Sequence, residues 1–224
     1  MEKVSVVIPV RNNFELTMQT IQSIRDNFFL DYEIIVVDDS SSDDTQKYFT
    51  DKMIKQETDV LYFRFNENIW VTKAWNFWID VATNDYIMVI NNDILFKPGV
   101  DVAMVKSLQA EEDIYVTWPL YTTGVKPRRW DIRFTKENIC WHCWMTTKDK
   151  RFEIGPIDER LFLYYNDDRI FRKVLKDMKK KINVSWKAFV HHLEHKTINL
   201  DSKIGLKILR DDIQRQIIST ENGR

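Results

Sequence analysis

The sequence predicts an α/β domain on a mostly parallel, doubly wound sheet, and three observations carry that prediction. Short apolar runs alternate with single amphipathic helices through the N-terminal half. The runs are apolar on both faces, as strands covered by helices on either side must be. Three of them end in polar clusters, Arg11-Asn12-Asn13, Asp38 to Ser42, and Asn91-Asn92-Asp93. Such clusters fall at the carboxyl edge, where open α/β sheets bind ligands.

Val4 to Val10 is β-branched and reads as the first strand. Arg11 to Asn13 then offer caps for an amphipathic helix, Phe14 to Phe28, with Met18, Ile21, Ile24 and Phe28 on one face. Tyr32 to Val37 is a second strand. Ser41 and Asp44 fit an S-x-x-D cap for a helix through Tyr48 and Phe49. Val60 to Phe65 is a third strand, Asn66 to Ile69 a loop, and Val71 to Ala82 a helix with Val71, Trp75 and Trp78 in phase. Tyr86 to Ile90 is the buried central strand. A second apolar run precedes Pro98-Gly99, a helix through Val105 and Leu108 follows, and Ile114 to Trp118 is another strand. The pattern then weakens. Tyr121 to Trp130 is a basic, aromatic loop, and antiparallel strands are expected within residues 132 to 154. Gly155-Pro156 starts a turn, Asp167 to Lys181 is a basic helix, and Ile182 to Val190 is a late strand before a charged tail from Thr197.

At 224 residues, one compact core is the natural expectation. A formal charge of -1 sets up no global field for nucleic acid. Aromatic residues make up 13%, with eight Trp, a surplus that suits a core or a flat substrate to stack on. No apolar run reaches the roughly 20 residues of a membrane span. The opening MEKVSVVIPV is a strand rather than a leader. Two cysteines, Cys140 and Cys143, make no disulfide framework, and a reducing cytoplasm is the default. Asp93, just past a central strand, suits a hard divalent cation that also holds substrate phosphates. A plain Asn-Asn-Asp turn is the alternative.

Five blocks, in order, resemble the nucleotide-sugar glycosyltransferases of the GT-A fold, sequence family 2. VSVVIPVRNN is similar to that family's opening strand, IIVVDDSSSDDT to its nucleotide-binding turn, and NENIWVTKAWNFWIDVATNDYIMVINND to the block ending in its acidic metal element. IGPIDERLFLYYNDD resembles the acceptor block that carries the base, and HHLEHKT a C-terminal His element that completes the metal site. Together they cover roughly residues 4 to 197. No single block is specific; their order is.

The resemblance implies one GT-A domain over 1–199, with residues 1–99 binding the nucleotide-sugar, 100–199 the acceptor, and 200–224 a helical tail. It implies donor contacts from Pro9, Val10, Arg11, Asp38, Asp39, Asn68, Trp70, Lys73, Asn76, Asn91 and Asn92. Asp39 is favoured over Asp38 for the base or ribose, although the same turn caps a helix. Manganese or magnesium is implied on Asp93, completed by His192 rather than His191 on the spacing to Thr197. Asp167 is implied as the general base of an inverting transfer from a UDP-sugar; Asn166-Asp167-Asp168 is also an ordinary helix cap. Acceptor contacts fall to Trp141, Trp144, Asp158 and Asp168.

The chain departs from the family where Trp70 and Trp78 replace glycines, where Asn91-Asn92-Asp93 keeps one carboxylate, and where Asn166 and Arg169 stand at usually acidic positions. Cys140-Trp-His-Cys143 lacks a second ligand pair for zinc, and core packing accounts for it better. Lys126, Arg128 and Arg129, and Arg172 to Lys181, are solvated faces or contacts to a phosphate-rich acceptor. A saccharide acceptor is expected, with a modified base in DNA as the alternative and protein or lipid left open, and an inactive nucleotide-sugar-binding module is the rival reading.

Overall fold

The computed structural model describes residues 2–56, 58–69, 73, 76–77, 81–123, 142–156 and 173–193. Among them, eight strands form one sheet: β1 (Lys3–Val10), β2 (Asp31–Asp38), β3 (Val60–Arg64), β4 (Tyr86–Ile90), β5 (Ile94–Phe96), β6 (Ile114–Thr123), β7 (Cys143–Thr147) and β8 (Lys181–His192). Helices are α1 (Phe14–Asn27), α2 (Thr45–Ile54), α3 (Val100–Gln109) and α4 (Lys148–Ile154), with a π-helical turn at Lys173–Asp177. Lys73, Asn76, Phe77 and Val81 are also helical. The sheet order is β3-β2-β1-β4-β7-β6-β8-β5.

Strands β1 to β4 are parallel, which is the doubly wound half the sequence predicts. The second half is mixed. β7 enters antiparallel between β4 and β6, β8 lies parallel to β6, and β5 closes the edge antiparallel to β8. The pleat explains the continuous apolar runs. Val4, Val6, Ile8, Ile34, Val36, Met88 and Ile90 fill the core beneath α1 and α3, while Val7, Ile35, Val37, Ile87 and Val89 fill the opposite face.

Several expectations are corrected. Residues 148 to 154 form α4 rather than a strand, because Thr147 ends β7 and its side chain accepts from Lys150 N–H, capping a helix. Within the expected basic helix, the described part is the π-turn, and Lys181 already begins β8. Neither proposed cap forms. Asn13 and Asp44 make no side-chain cap bond; instead Asp43, from the turn after β2, accepts from Phe14 N–H of α1 at 3.0 Å. The tail from 200 lies outside the described residues. No helix among the described residues is long and apolar enough to cross a membrane.

Candidate functional site

The sheet parts at its carboxyl edge between β1 and β4. Their pairing stops at Val7↔Val89, while β1 stays paired to β2 as far as Val10↔Asp38. Pro9, with no amide hydrogen, breaks no bond to β4 in that open stretch. Strand order reverses at the same gap, which makes it the topological switch point where α/β sheets take ligands. Pro9 is half-buried there. Val10 is buried in the first core and reaches the edge only through its carbonyl, which accepts from Asp39 N–H at 2.8 Å.

The turn after β2 frames one side. Asp38 is fully buried: Oδ1 accepts from Ser41 N–H at 2.6 Å, and Oδ2 from Tyr62 Oη–H at 2.5 Å and from the Arg64 guanidinium. Burial, and then the bond to this carboxylate, push the Tyr62 phenol above its ordinary range. Burial works against the Arg64 charge, but the Asp38 carboxylate outweighs it and raises its pKa. The donor contact expected of Asp38 is thus corrected, since its oxygens are spent inside the fold. Asp39 lies nearer the gap. Its Oδ1 accepts from Ile69 N–H at 2.7 Å, tying down the loop that carries Asn68, and Arg11 sits 3.9 Å from Oδ2. Arg11 also donates to Asp39 O at 3.0 Å. Asn12 and Asn13 adopt left-handed backbone, as asparagine tolerates. Asn12 N–H donates to Ser41 Oγ at 2.8 Å, and Ser42 N–H to Asn12 Oδ1 at 2.7 Å, so the two turns are laced together.

The turn after β4 frames the other side. Asn92 is a tie: its amide nitrogen donates to Asn12 O at 3.2 Å and Thr17 Oγ1 at 3.0 Å. Thr20 and Ser23 hydroxyls accept from Ile94 and Phe96 N–H, at 3.1 and 2.7 Å. One row of α1, three residues apart, thus holds the whole segment after β4. Asp93 is 4% exposed, and β8 returns alongside it with Ile94↔His192 in register. His192 Nε2 lies 3.1 Å from Asp93 Oδ1. His191 is one residue back, in register with Leu95. The ring of His142, read in the sequence only as part of Cys140-Trp-His-Cys143, stacks on His192 with centroids 3.7 Å apart and planes 18° apart. Burial chiefly, and then His192, drive the His142 pKa down to about 4 against the pull of Asp93, so it is neutral at physiological pH. Asn91 meets it too, its Nδ2 3.2 Å from His142 Nδ1.

One other expectation is corrected. Trp144 lies in the second core at 2% exposure, its register partner Val89, so its indole face is packed rather than presented to an acceptor. Asn76 accepts from Arg151 of α4 at 3.2 Å. Lys73 is exposed. Cys143 is buried in the first core, as core packing requires. Trp70, Trp141, Asp158, Asp167 and Asp168 lie outside the described residues, as do Trp78 and Cys140.

Among the described residues no three His, Cys, Asp or Glu side chains gather to enclose a metal ion. One carboxylate beside one imidazole is nevertheless a donor set that would suit a hard divalent ion shared with substrate oxygens.

Against known proteins, the family model described as glycosyl transferase family 2 matches residues 5–178. A GalNAc(5)-diNAcBac-PP-undecaprenol beta-1,3-glucosyltransferase of Campylobacter jejuni is 43% identical over 68 residues, 30% of this chain and 21% of that protein. The crystal structure of GalNAc-T7 with UDP, GalNAc and Mn2+ superposes with a TM-score of 0.71 at 15% identity, over 93% of this chain and 48% of that one. That likeness shows a shared fold. The chain spans about a fifth of the first relative's length and about half of the second's.

Proposed function

The chain belongs to glycosyl transferase family 2, with the GT-A type of fold, and from that premise we propose that it transfers a sugar from a UDP-sugar to a saccharide hydroxyl. The observation that carries this reading is the Asp93–His192 pair after β4, on the same sheet edge as the turn of Asp39 and Arg11 after β2 and β1. The fold neighbour solved with UDP and Mn2+ supports the donor and the ion, and the relative named for glucosyl transfer to a saccharide on a lipid carrier supports the acceptor class. Nothing in either name points to DNA.

In this reading Asp39 accepts from the nucleoside and Arg11 lies beside the diphosphate. Asp93 and His192 would hold a divalent ion, manganese or magnesium. When bound, the ion offsets charge on the departing diphosphate as a Lewis acid. Asp167, within the acceptor-like block of the family match, takes the proton of the acceptor hydroxyl as that oxygen attacks the anomeric carbon. The new glycosidic bond forms with inversion, the bond to phosphate breaks, and UDP leaves.

The test is UDP release from a panel of UDP-sugars, with Mn2+ or chelator, in the presence of oligosaccharides or of DNA carrying modified bases. The expected result is Mn2+-dependent release stimulated by a saccharide. Asp167→Asn should lower transfer by about 10²- to 10⁴-fold while UDP still binds. Release stimulated only by DNA would overturn the acceptor class. UDP binding with no release from any donor would favour the inactive module, for which the neutral Asn91 is the supporting feature.

A further inference from the structure

A histidine that binds metal through one ring nitrogen usually donates from the other to a carboxylate or carbonyl, and that bond sets the ring's orientation. His192 lacks it. Its Nδ1 is buried with no hydrogen-bond partner among the described residues, while its Nε2 faces Asp93 at 3.1 Å. What meets the ring instead is the face of His142, nearly parallel at 3.7 Å between centroids.

His142 is itself fixed from the strand side. It immediately precedes β7, whose Cys143 is in register with Ile90 of β4, so its backbone comes opposite the turn after β4. Its carbonyl accepts from Asn91 N–H at 2.8 Å. Its Nδ1 lies 3.2 Å from Asn91 Nδ2. An amide nitrogen can only donate, so Nδ1 accepts and the ring proton sits on Nε2. Tyr121 meets the ring edge-on at 6.0 Å between centroids. Three contacts therefore hold His142 in one plane, and that plane is transmitted to His192.

We propose that His142 is a positioning residue for the metal-binding pair: stacking on His192 replaces the missing hydrogen bond and aims Nε2 at the ion shared with Asp93. This rests on the reading of Asp93 and His192 as metal ligands. It assigns a role to a residue outside the expected donor, metal and acceptor contacts, and it explains why a side chain able to stack stands before β7.

The test compares His142→Phe, which keeps a flat ring, with His142→Leu, of similar bulk but without a face to stack. Mn2+ affinity in the presence of UDP is read by electron spin resonance of the free ion, and melting is recorded for both. The expected result is a Phe variant within a few-fold of wild type and a Leu variant weaker by about 10- to 100-fold, the usual effect of disturbing a ligand's support. Donor KM should rise in the Leu variant more than kcat falls. Wild-type Mn2+ affinity in His142→Leu, or equal losses in the two variants, overturns the proposal. Asp93→Ala is the control: if Mn2+ still binds there as in wild type, the metal reading itself has failed.

Discussion

The turns after β2 and β4 stand at the same edge of the sheet, and each carries a pair of polar neighbours with opposite destinations. After β2, Asp38 points into the protein and settles its charge on Arg64, Tyr62 and the Ser41 amide, while Asp39 turns to the Ile69 amide and to Arg11. After β4, Asn92 points inward to Asn12 and Thr17, while Asp93 faces His192 across the last strand. All four are buried, and the difference lies in which group is spent on bonds inside the fold. The β2 turn spends a full charge on its own architecture and the β4 turn spends only a neutral amide. A buried carboxylate must be fully partnered, whereas a buried amide asks for two ordinary bonds. That leaves the β4 turn with its one carboxylate beside imidazoles, the environment that suits an incoming cation.

This contrast breaks most visibly at Asp38. Asp38→Ala strands a largely buried guanidinium and a phenol, and should cost about 3 to 5 kcal/mol in chemical denaturation. Asp39→Ala, one residue on, should cost less, about 1 to 3 kcal/mol for the Ile69 amide left unpaired, and weaken UDP binding by about tenfold or more. Equal destabilisation by the two would erase the distinction. On the β4 side, Asn92→Ala should lower stability by about 1 to 3 kcal/mol, because Thr17 and the Asn12 carbonyl lose their donor.

A smaller effect sharpens the contrast from the far end of β2. Burial pushes the Glu33 pKa up, but bonds from Ser5, from Thr83 through backbone and side chain, and from Asn84 outweigh it and hold the carboxyl below its ordinary 4.5. A depressed folded pKa contributes stability that is present above the unfolded value and lost as pH falls through the folded one. Glu33→Gln should therefore cost about 1 to 2 kcal/mol at pH 7 and progressively less as pH drops below 4.5. A pH-independent loss in denaturation midpoints would contradict that account.

The strands of the parallel half, and the polar turns ending β1, β2 and β4, were legible because apolar runs and their terminators are local signals. The place of Asp93 just past the central strand was legible for the same reason. The partners were not. Arg64 and Tyr62 claim Asp38 through β2–β3 pairing, and nothing in either short run announces the register. His142 was hidden by the adjacent cysteines and by the insertion of β7 between β4 and β6, an antiparallel choice that local periodicity does not encode. The row Thr17, Thr20 and Ser23 was present in the sequence of α1. It went unread because the apolar stripe of Met18, Ile21 and Ile24 dominates that helix, and hydroxyls beside it look like solvated positions. Trp144 misled for the opposite reason: an indole beside a suspected acceptor region suggests stacking, yet its place in β7 faces the second core.

The central claim is that Asp93 holds a divalent ion against the donor diphosphate, and calorimetric titration of UDP with and without Mn2+ tests it most directly. Wild type should bind UDP at least about tenfold more tightly with Mn2+, and Asp93→Asn should lose that gain while keeping its melting temperature, since the substitution is nearly isosteric. A Mn2+-dependent gain that survives intact in Asp93→Asn would contradict the claim.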